Sequence, residues 1–450
     1  MEFIDVIIEF LPIFMFLAMG ILLFIGYPVG FILGGVAVTF GVIGYMFGVF
    51  KLAEFFNFVP RMWGFSAENL ILVAIPSFIF MGIMMERSGI ANDLLFTTQV
   101  LLRKVAGGLA MAVTVMGTVL AAMTGIIGAS VTMMTALALP TMLQQKYSPA
   151  LATGVIAASG TLGILIPPSI MLVVMGPIME IPVIDLFAAA ILPGVLLASL
   201  YAAYTTIRCM MDPKLGPPLP KNMRATSMKH VWVEFFLGLV PPAALVFSAL
   251  GSILLGFATP TEAAGCGAMG ALLLSLAYKK LTLKKLQDAL VKTLEISALI
   301  MVLVAASNFF GAVFARLGTP MLLTEFLLSL EMNRYLILAI IMGVIFLLGW
   351  PLEWVPIVMI IVPIILPLVE ALGFNLTWFA ILVAVNLQTA WLSPPVALSA
   401  YFLKGVVPEW DLKDIYLGMM QFMVLQVIGL IIIIMFPKIV LWLPTLLYGQ

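Results

Sequence analysis

Residues 160–169 read Gly-Thr-Leu-Gly-Ile-Leu-Ile-Pro-Pro-Ser, and residues 386–395 read Asn-Leu-Gln-Thr-Ala-Trp-Leu-Ser-Pro-Pro. Each stretch interrupts an apolar run with a proline pair, and proline has no N–H to give the carbonyl one turn back. The pairs Pro167-Pro168 and Pro394-Pro395 lie 227 residues apart, as do Pro140 and Pro367, while Gly82, Arg87 and Gly89 precede Gly311, Arg316 and Gly318 by 229. A proline pair alone means little, because the chain also holds Pro217-Pro218 and Pro241-Pro242. Three elements in one register, with a slip of two residues, mark an internal duplication.

What surrounds these breaks is membrane sequence. Of 450 residues, 64% are hydrophobic and only 9% charged, against roughly 25% charged in a soluble domain. Residues 105–179 hold a single charge, Lys146, and residues 335–403 only Glu353 and Glu370, so each stretch has room for several spans of about 20 residues. The opening Met1-Glu-Phe-Ile-Asp lacks the basic segment of a cleavable signal and reads as the first span. Cys209, Cys266 and His230 cannot build a disulfide framework or an all-protein zinc site. The net charge is zero, and nothing suggests a nucleic-acid partner.

Basic residues cluster in two places, Arg208 to His230 and Lys279 to Lys292, and the positive-inside rule puts both in the cytoplasm. Two apolar stretches between them, 231–255 and 257–278, supply the even number of crossings this requires. The expected organisation is N-terminal scaffold spans over 1–60, a first repeat over 61–210, a central unit over 211–292 with two scaffold spans between basic loops, and a second repeat over 293–450. In the first repeat, the uncharged run between Arg103-Lys104 and Lys146 is broken at Thr124-Gly-Ile-Ile-Gly-Ala-Ser130, which leaves about 14 residues beyond the break, few for a crossing. It reads as a re-entrant hairpin over about 105–145, followed by a broken helix over about 150–176; a kinked crossing helix is the alternative for this hairpin and for its partner in the second repeat. In the second repeat a hairpin over about 335–372, broken at Gly349-Trp-Pro-Leu-Glu353, precedes a broken helix over about 375–403 and a C-terminal span. The fold class is an all-α polytopic membrane protein with inverted repeats, each carrying a re-entrant helical hairpin and a broken helix.

No phosphate loop, nucleophile elbow or paired histidines occur, so ATP hydrolysis and metalloenzyme chemistry find no support. Broken helices in hydrocarbon free carbonyls and N–H groups that need partners. Carbonyls and hydroxyls suit a hard cation, and helix N-termini suit a carboxylate. Thr124, Ser130 and Ser169 are candidates, with a hydroxyl bonded back to its own helix as the alternative. Glu353 is read either as a site residue or as a cap for the following helix, Glu262 as a cap, and Glu86, Arg87 and Arg316 as side chains reaching the interface from the ends of apolar runs, with a direct role as the alternative.

Several motifs together resemble the large membrane subunit of the tripartite ATP-independent periplasmic transporters: Gly26-Tyr-Pro-Val-Gly-Phe31, Ile75-Pro-Ser-Phe-Ile-Phe-Met-Gly82, Thr124 to Ser130, Leu139-Pro-Thr-Met142, Gly160 to Ile170, Thr259-Pro-Thr-Glu-Ala263, Asn386 to Pro395 and Tyr401-Phe-Leu-Lys-Gly405. The resemblance implies an elevator-type fold similar to the ion transporter superfamily, driven by Na+ without an organic cofactor, in a bacterial or archaeal inner membrane. It further implies a small four-span membrane subunit and a soluble periplasmic substrate-binding protein as partners, and a small organic carboxylate, such as a C4-dicarboxylate or 2-oxo acid, as substrate. Carried over by motif position, one sodium site falls on Thr124, Ile126, Gly163, Ile166 and Pro168, and the other on Gly349, Thr389, Ala390, Ser393 and Pro395. Substrate contacts are expected at Gly125, Ser130, Ser169, Glu353 and Gln388. Many relatives have a Ser-Gly-Ser-Ser tip where this chain has Thr124-Gly-Ile-Ile127, aspartate in place of Glu353, and glycine in place of Ala397. A stand-alone sodium- or proton-coupled dicarboxylate carrier and an ion channel are the alternative readings.

Overall fold

The computed structural model describes residues 2–124, 127–218, 229, 232–233, 235–318, 324–325, 327, 329, 331–394, 397–408 and 410–449. Among these residues the chain is helical, with no strand. Among the described residues, six helices are long and apolar enough to cross a membrane: Val29–Met46, Val183–Met211, Phe235–Leu254, Leu283–Arg316, Trp354–Ala371 and Leu412–Met435. Within them most hydrogen-bonding capacity is met inside each helix, which hydrocarbon demands.

The first part of the chain comprises α1 (Glu2–Ile25), α2 (Val29–Met46), α3 (Leu52–Ser66), α4 (Ala74–Arg87) and α5 (Ile90–Leu101). Next come α6 (Gly108–Thr124) and α7 (Ile127–Gln144), which pack on each other as a hairpin, then α8 (Pro149–Thr161), α9 (Ile170–Met179) and α10 (Val183–Met211). The central pair is α11 (Val240–Leu254), preceded by a π-helical turn at Phe235–Leu239, and α12 (Pro260–Ala277). Glu262 caps α12 as expected: Thr259 N–H donates to its Oε2 at 2.8 Å, and Thr259 Oγ1 accepts from Glu262 N at 3.3 Å. This reciprocal box satisfies two of the helix's orphan donors.

The 34-residue α13 (Leu283–Arg316) changes one expectation. Lys284, Lys285 and Lys292 lie on this helix and not in a loop, because Thr282 caps it from Lys285 N at 3.3 Å. Beyond it are α14 (Arg334–Leu348), α15 (Trp354–Ala371, with a π turn at Ile357–Ile361), α16 (Leu376–Leu392), α17 (Leu398–Val406), α18 (Leu412–Met435) and a further helix at the C-terminal end, α19 (Lys438–Tyr448).

Two groups of contacts position the site. α4 packs along α12, while α13 packs against α2, α3 and α4. Separately, α8 lies against α7 and α18, and α16 against α14 and α18. The α8–α18 crossing is so close at Gly154 and Gly418 that a Cβ on either would overlap the other helix's backbone, the small-residue contact by which membrane helices gain packing. Lys280 ties the end of α12 to α5 by an ion pair with Asp93 at 2.6 Å.

Candidate functional site

Both proline breaks interrupt a helix as their chemistry requires. After Thr161 a 3-10 turn, Leu162–Ile164, leads to the Pro167-Pro168 pair, and α9 restarts at Ile170. Pro167 has no N–H for the Gly163 carbonyl and Pro168 none for Ile164. Ser169 takes up the second, its Oγ donating to Ile164 O at 2.6 Å while capping α9 from Leu172 N at 3.5 Å. In the second repeat Pro394 deprives the Ala390 carbonyl in the same way, and Ser393 Oγ donates to it at 3.1 Å. Thr389 Oγ1 donates to Asn386 O at 2.5 Å. Ser169, Thr389 and Ser393 are thus bonded back to nearby backbone, which for Ser169 is the alternative stated above, with lone pairs left on each oxygen.

Hairpin tips sit on the breaks. A Cβ added to Gly349 would lie 2.5 Å from Ala390 Cβ, and one on Gly160 would lie 2.6 Å from Val131 Cγ2. Trp350 Nε1 donates to Ser393 Oγ at 2.6 Å, and Asn386 Nδ2 to Met342 O at 2.7 Å. The structure therefore gathers Gly349, Thr389, Ala390 and Ser393 at one place. On the other side Gly163, Ile166, Pro168 and Ser169 share the first break, and buried Ser130 lies on the first turn of α7, one residue before Val131. Thr124 ends α6, while Gly125, Ile126 and Pro395 lie outside the described residues.

Gln388 meets a polar group of the first repeat. Its Oε1 lies 3.5 Å from Thr161 Oγ1, the residue 227 positions earlier, so equivalent points of the two repeats meet. Gln426 on α18 donates from Nε2 to Thr161 Oγ1 at 3.0 Å and to Tyr201 OH at 2.8 Å, closing a buried polar cluster across α8, α10, α16 and α18.

A cavity of about 580 Å³ opens between the two packing groups. Glu86 and Arg87 from α4 and Lys292 from α13 line it, together with Ile127 and Gly128 at the first hairpin tip and Glu353 at the second. Glu353 precedes α15 and makes no capping hydrogen bond, so of its two readings the structure shows a cavity-lining carboxyl. Of the cations Arg87 and Lys292, the first has a direct role as one of its sequence readings and the second has none. Arg87 stands at the end of an apolar run, where reaching the interface explains it, and Lys292 belongs to a basic cluster; its spacing of seven from Lys285, two turns on one helical face, was the available signal.

The cavity continues past Glu86, Arg87, Met133 and Ala136 into a vestibule of about 610 Å³ that also reaches Lys284, Lys285 and Asp288. It therefore opens toward the basic face. A third, smaller cavity of about 270 Å³ is lined by Ala312, Met359, Ile360 and Pro363. These are the repeat counterparts of Ile83, Thr132, Met133 and Ala136 in the large cavity, by shifts of 229 and 227.

A helical membrane protein with two broken helices and with hairpin tips lining a cavity between two packed bodies has the architecture of a secondary transporter. The family described as tripartite ATP-independent periplasmic transporter, DctM component, matches residues 16–439, and the chain belongs to it. It is a transporter permease component and not an enzyme, and a multi-pass inner-membrane protein. The sialic acid TRAP transporter large permease protein SiaM of Vibrio cholerae is 29% identical over 95% of this chain and 98% of its own. The C4-dicarboxylate TRAP transporter large permease protein DctM of Rhodobacter capsulatus is 28% identical over 84% of this chain and 88% of its own. Among solved structures, the Alcanivorax borkumensis YdaH transporter superposes with a TM-score of 0.62 at 15% identity, covering 86% of this chain and 89% of that one, a likeness of fold alone.

Proposed function

We propose that this chain is the membrane carrier of a system that moves a small organic carboxylate inward, coupled to sodium and working with a small membrane subunit and a periplasmic binding protein. The observation that carries the reading is the large cavity, walled by both hairpin tips and bearing the Arg87 and Lys292 cations toward its basic mouth. Guanidinium and ammonium groups there attract an acid and hold it by charge-assisted hydrogen bonds. Sodium would bind where breaks and tips meet, at Thr124, Ile126, Gly163, Ile166 and Pro168 in one repeat and Gly349, Thr389, Ala390, Ser393 and Pro395 in the other. Supporting this, the donor set is carbonyl and hydroxyl oxygen, and Gly163 and Ala390, equivalent in the repeat, are the residues whose carbonyls the prolines deprive.

The paired cavities support alternating access. With the large cavity open to the basic, cytoplasmic face, the conformation is inward-facing. Exchange of the two repeats' conformations would close it and enlarge its counterpart at Ala312, Met359 and Pro363 on the opposite side. The test is uptake of labelled C4-dicarboxylates and 2-oxo acids into liposomes holding this chain and its small partner, with and without an inward sodium gradient and the binding protein. Uptake requiring both is expected. Uptake indifferent to sodium removes the ion sites, and uptake indifferent to the binding protein favours a stand-alone carrier.

A further inference from the structure

Among the described residues the cavity's inner end is apolar, which bears on what it can hold. Along α13 it runs from Lys292 to Leu303, about 16 Å at 1.5 Å per residue. Along α7 it runs from Ile127 at the tip down to Ala136, where Arg87 and Glu86 mark the passage to the vestibule. Its cations therefore sit toward one end. At the tip end, Gly128 lies against Phe402, whose ring is stacked on Trp391 at 6.4 Å and 7°. Leu299, Ile300 and Val355 extend the apolar wall.

Polar groups that could receive a second acid group or several hydroxyls are few among the described lining. Thr132 spends its hydroxyl proton on Gly128 O at 2.8 Å. Glu353 is itself a carboxyl and offers no cation. Lys292 forms an exposed pair with Glu295 at 3.0 Å on its own helix, an interaction weak enough to yield to a ligand, and the Glu86 carboxyl lies within electrostatic reach of both Lys292 and Arg87. A four-carbon diacid held at those cations would fill a fraction of the space and leave the apolar end at Ile127 and the rings without contacts.

Resting on the reading of this cavity as the substrate path, we infer that it selects a monocarboxylate with a bulky apolar body, aromatic or branched, its acid at Arg87 and Lys292 and its body against Ile127, Trp391 and Phe402. Gly128 sets the depth: a Cβ there would lie 2.8 Å from Phe402 Cζ, so alanine pushes the ring into the cavity.

The test is equilibrium binding of labelled phenylpyruvate to the purified chain with its small partner, at saturating sodium, with unlabelled 4-methyl-2-oxopentanoate, pyruvate and succinate as competitors. Phenylpyruvate and 4-methyl-2-oxopentanoate are expected to bind at least tenfold more tightly than pyruvate and succinate, since a single added methylene in a fitted apolar pocket gives about tenfold or more. Gly128→Ala and the milder Phe402→Leu should each cut that preference about fivefold or more, while Arg87→Gln weakens all four acids together. Succinate or pyruvate binding as tightly as phenylpyruvate, or a preference unchanged in both tip-end variants, overturns the inference and leaves carboxylate transport standing. Binding of none of the four acids overturns it together with the carboxylate reading.

Discussion

Gly349→Ala tests whether the second hairpin tip and the second break form one ion site. A Cβ at 349 falls 2.5 Å from Ala390 Cβ, with Phe346 O and Ile345 O at 3.3 and 3.4 Å. Ordinary contact begins near 3.4 Å, and Ala390 sits inside a helix with no rotamer to change, so tip and break must part by about 1 Å. Overpacking of this kind costs about 1–3 kcal/mol. If sodium binds only the joined arrangement, that strain appears as a loss of sodium affinity of about 5- to 150-fold. The assay is the sodium dependence of thermal unfolding in detergent, with the sodium half-saturation of uptake beside it. Gly343→Ala, one and a half turns earlier on α14 with open space around it, should leave sodium dependence unchanged. The double variant with Ala390→Gly removes the clashing carbon and should restore sodium affinity, with about 1 kcal/mol of general destabilisation from glycine in a helix. A folded Gly349→Ala protein with the parent's sodium dependence, or no recovery in the double variant, refutes the reasoning.

Ser169→Ala removes the α9 cap and leaves the Ile164 carbonyl without its donor; a loss of about 2 kcal/mol is expected in thermal unfolding. Ala397, at φ +28, holds a left-handed conformation that glycine adopts freely, so Ala397→Gly should stabilise by up to about 1 kcal/mol, read as a rise in Tm. Gln426→Leu strips two hydroxyls of their donor and is expected to cost about 1–2 kcal/mol in thermal unfolding.

The helices, their breaks and the duplication were legible because each rests on local covalent chemistry. Apolar runs of fixed length, proline's missing N–H and the box at Thr259-Pro-Thr-Glu262 act over a few residues. What the sequence could not show is which faces meet. Gln388 meets Thr161 because the two broken helices approach at equivalent positions. Likewise Arg87 and Lys292 gain meaning only when the end of α4 and the third turn of α13 line one cavity. Those are long-range packing outcomes, absent from any local window.

Sodium coupling through this chain is tested most directly by measuring labelled sodium and labelled organic acid together in liposomes holding the carrier, its small partner and the binding protein. The account predicts that the two move inward in a fixed ratio and that an outward sodium gradient drives acid out. Acid accumulating with no accompanying sodium flux would contradict it.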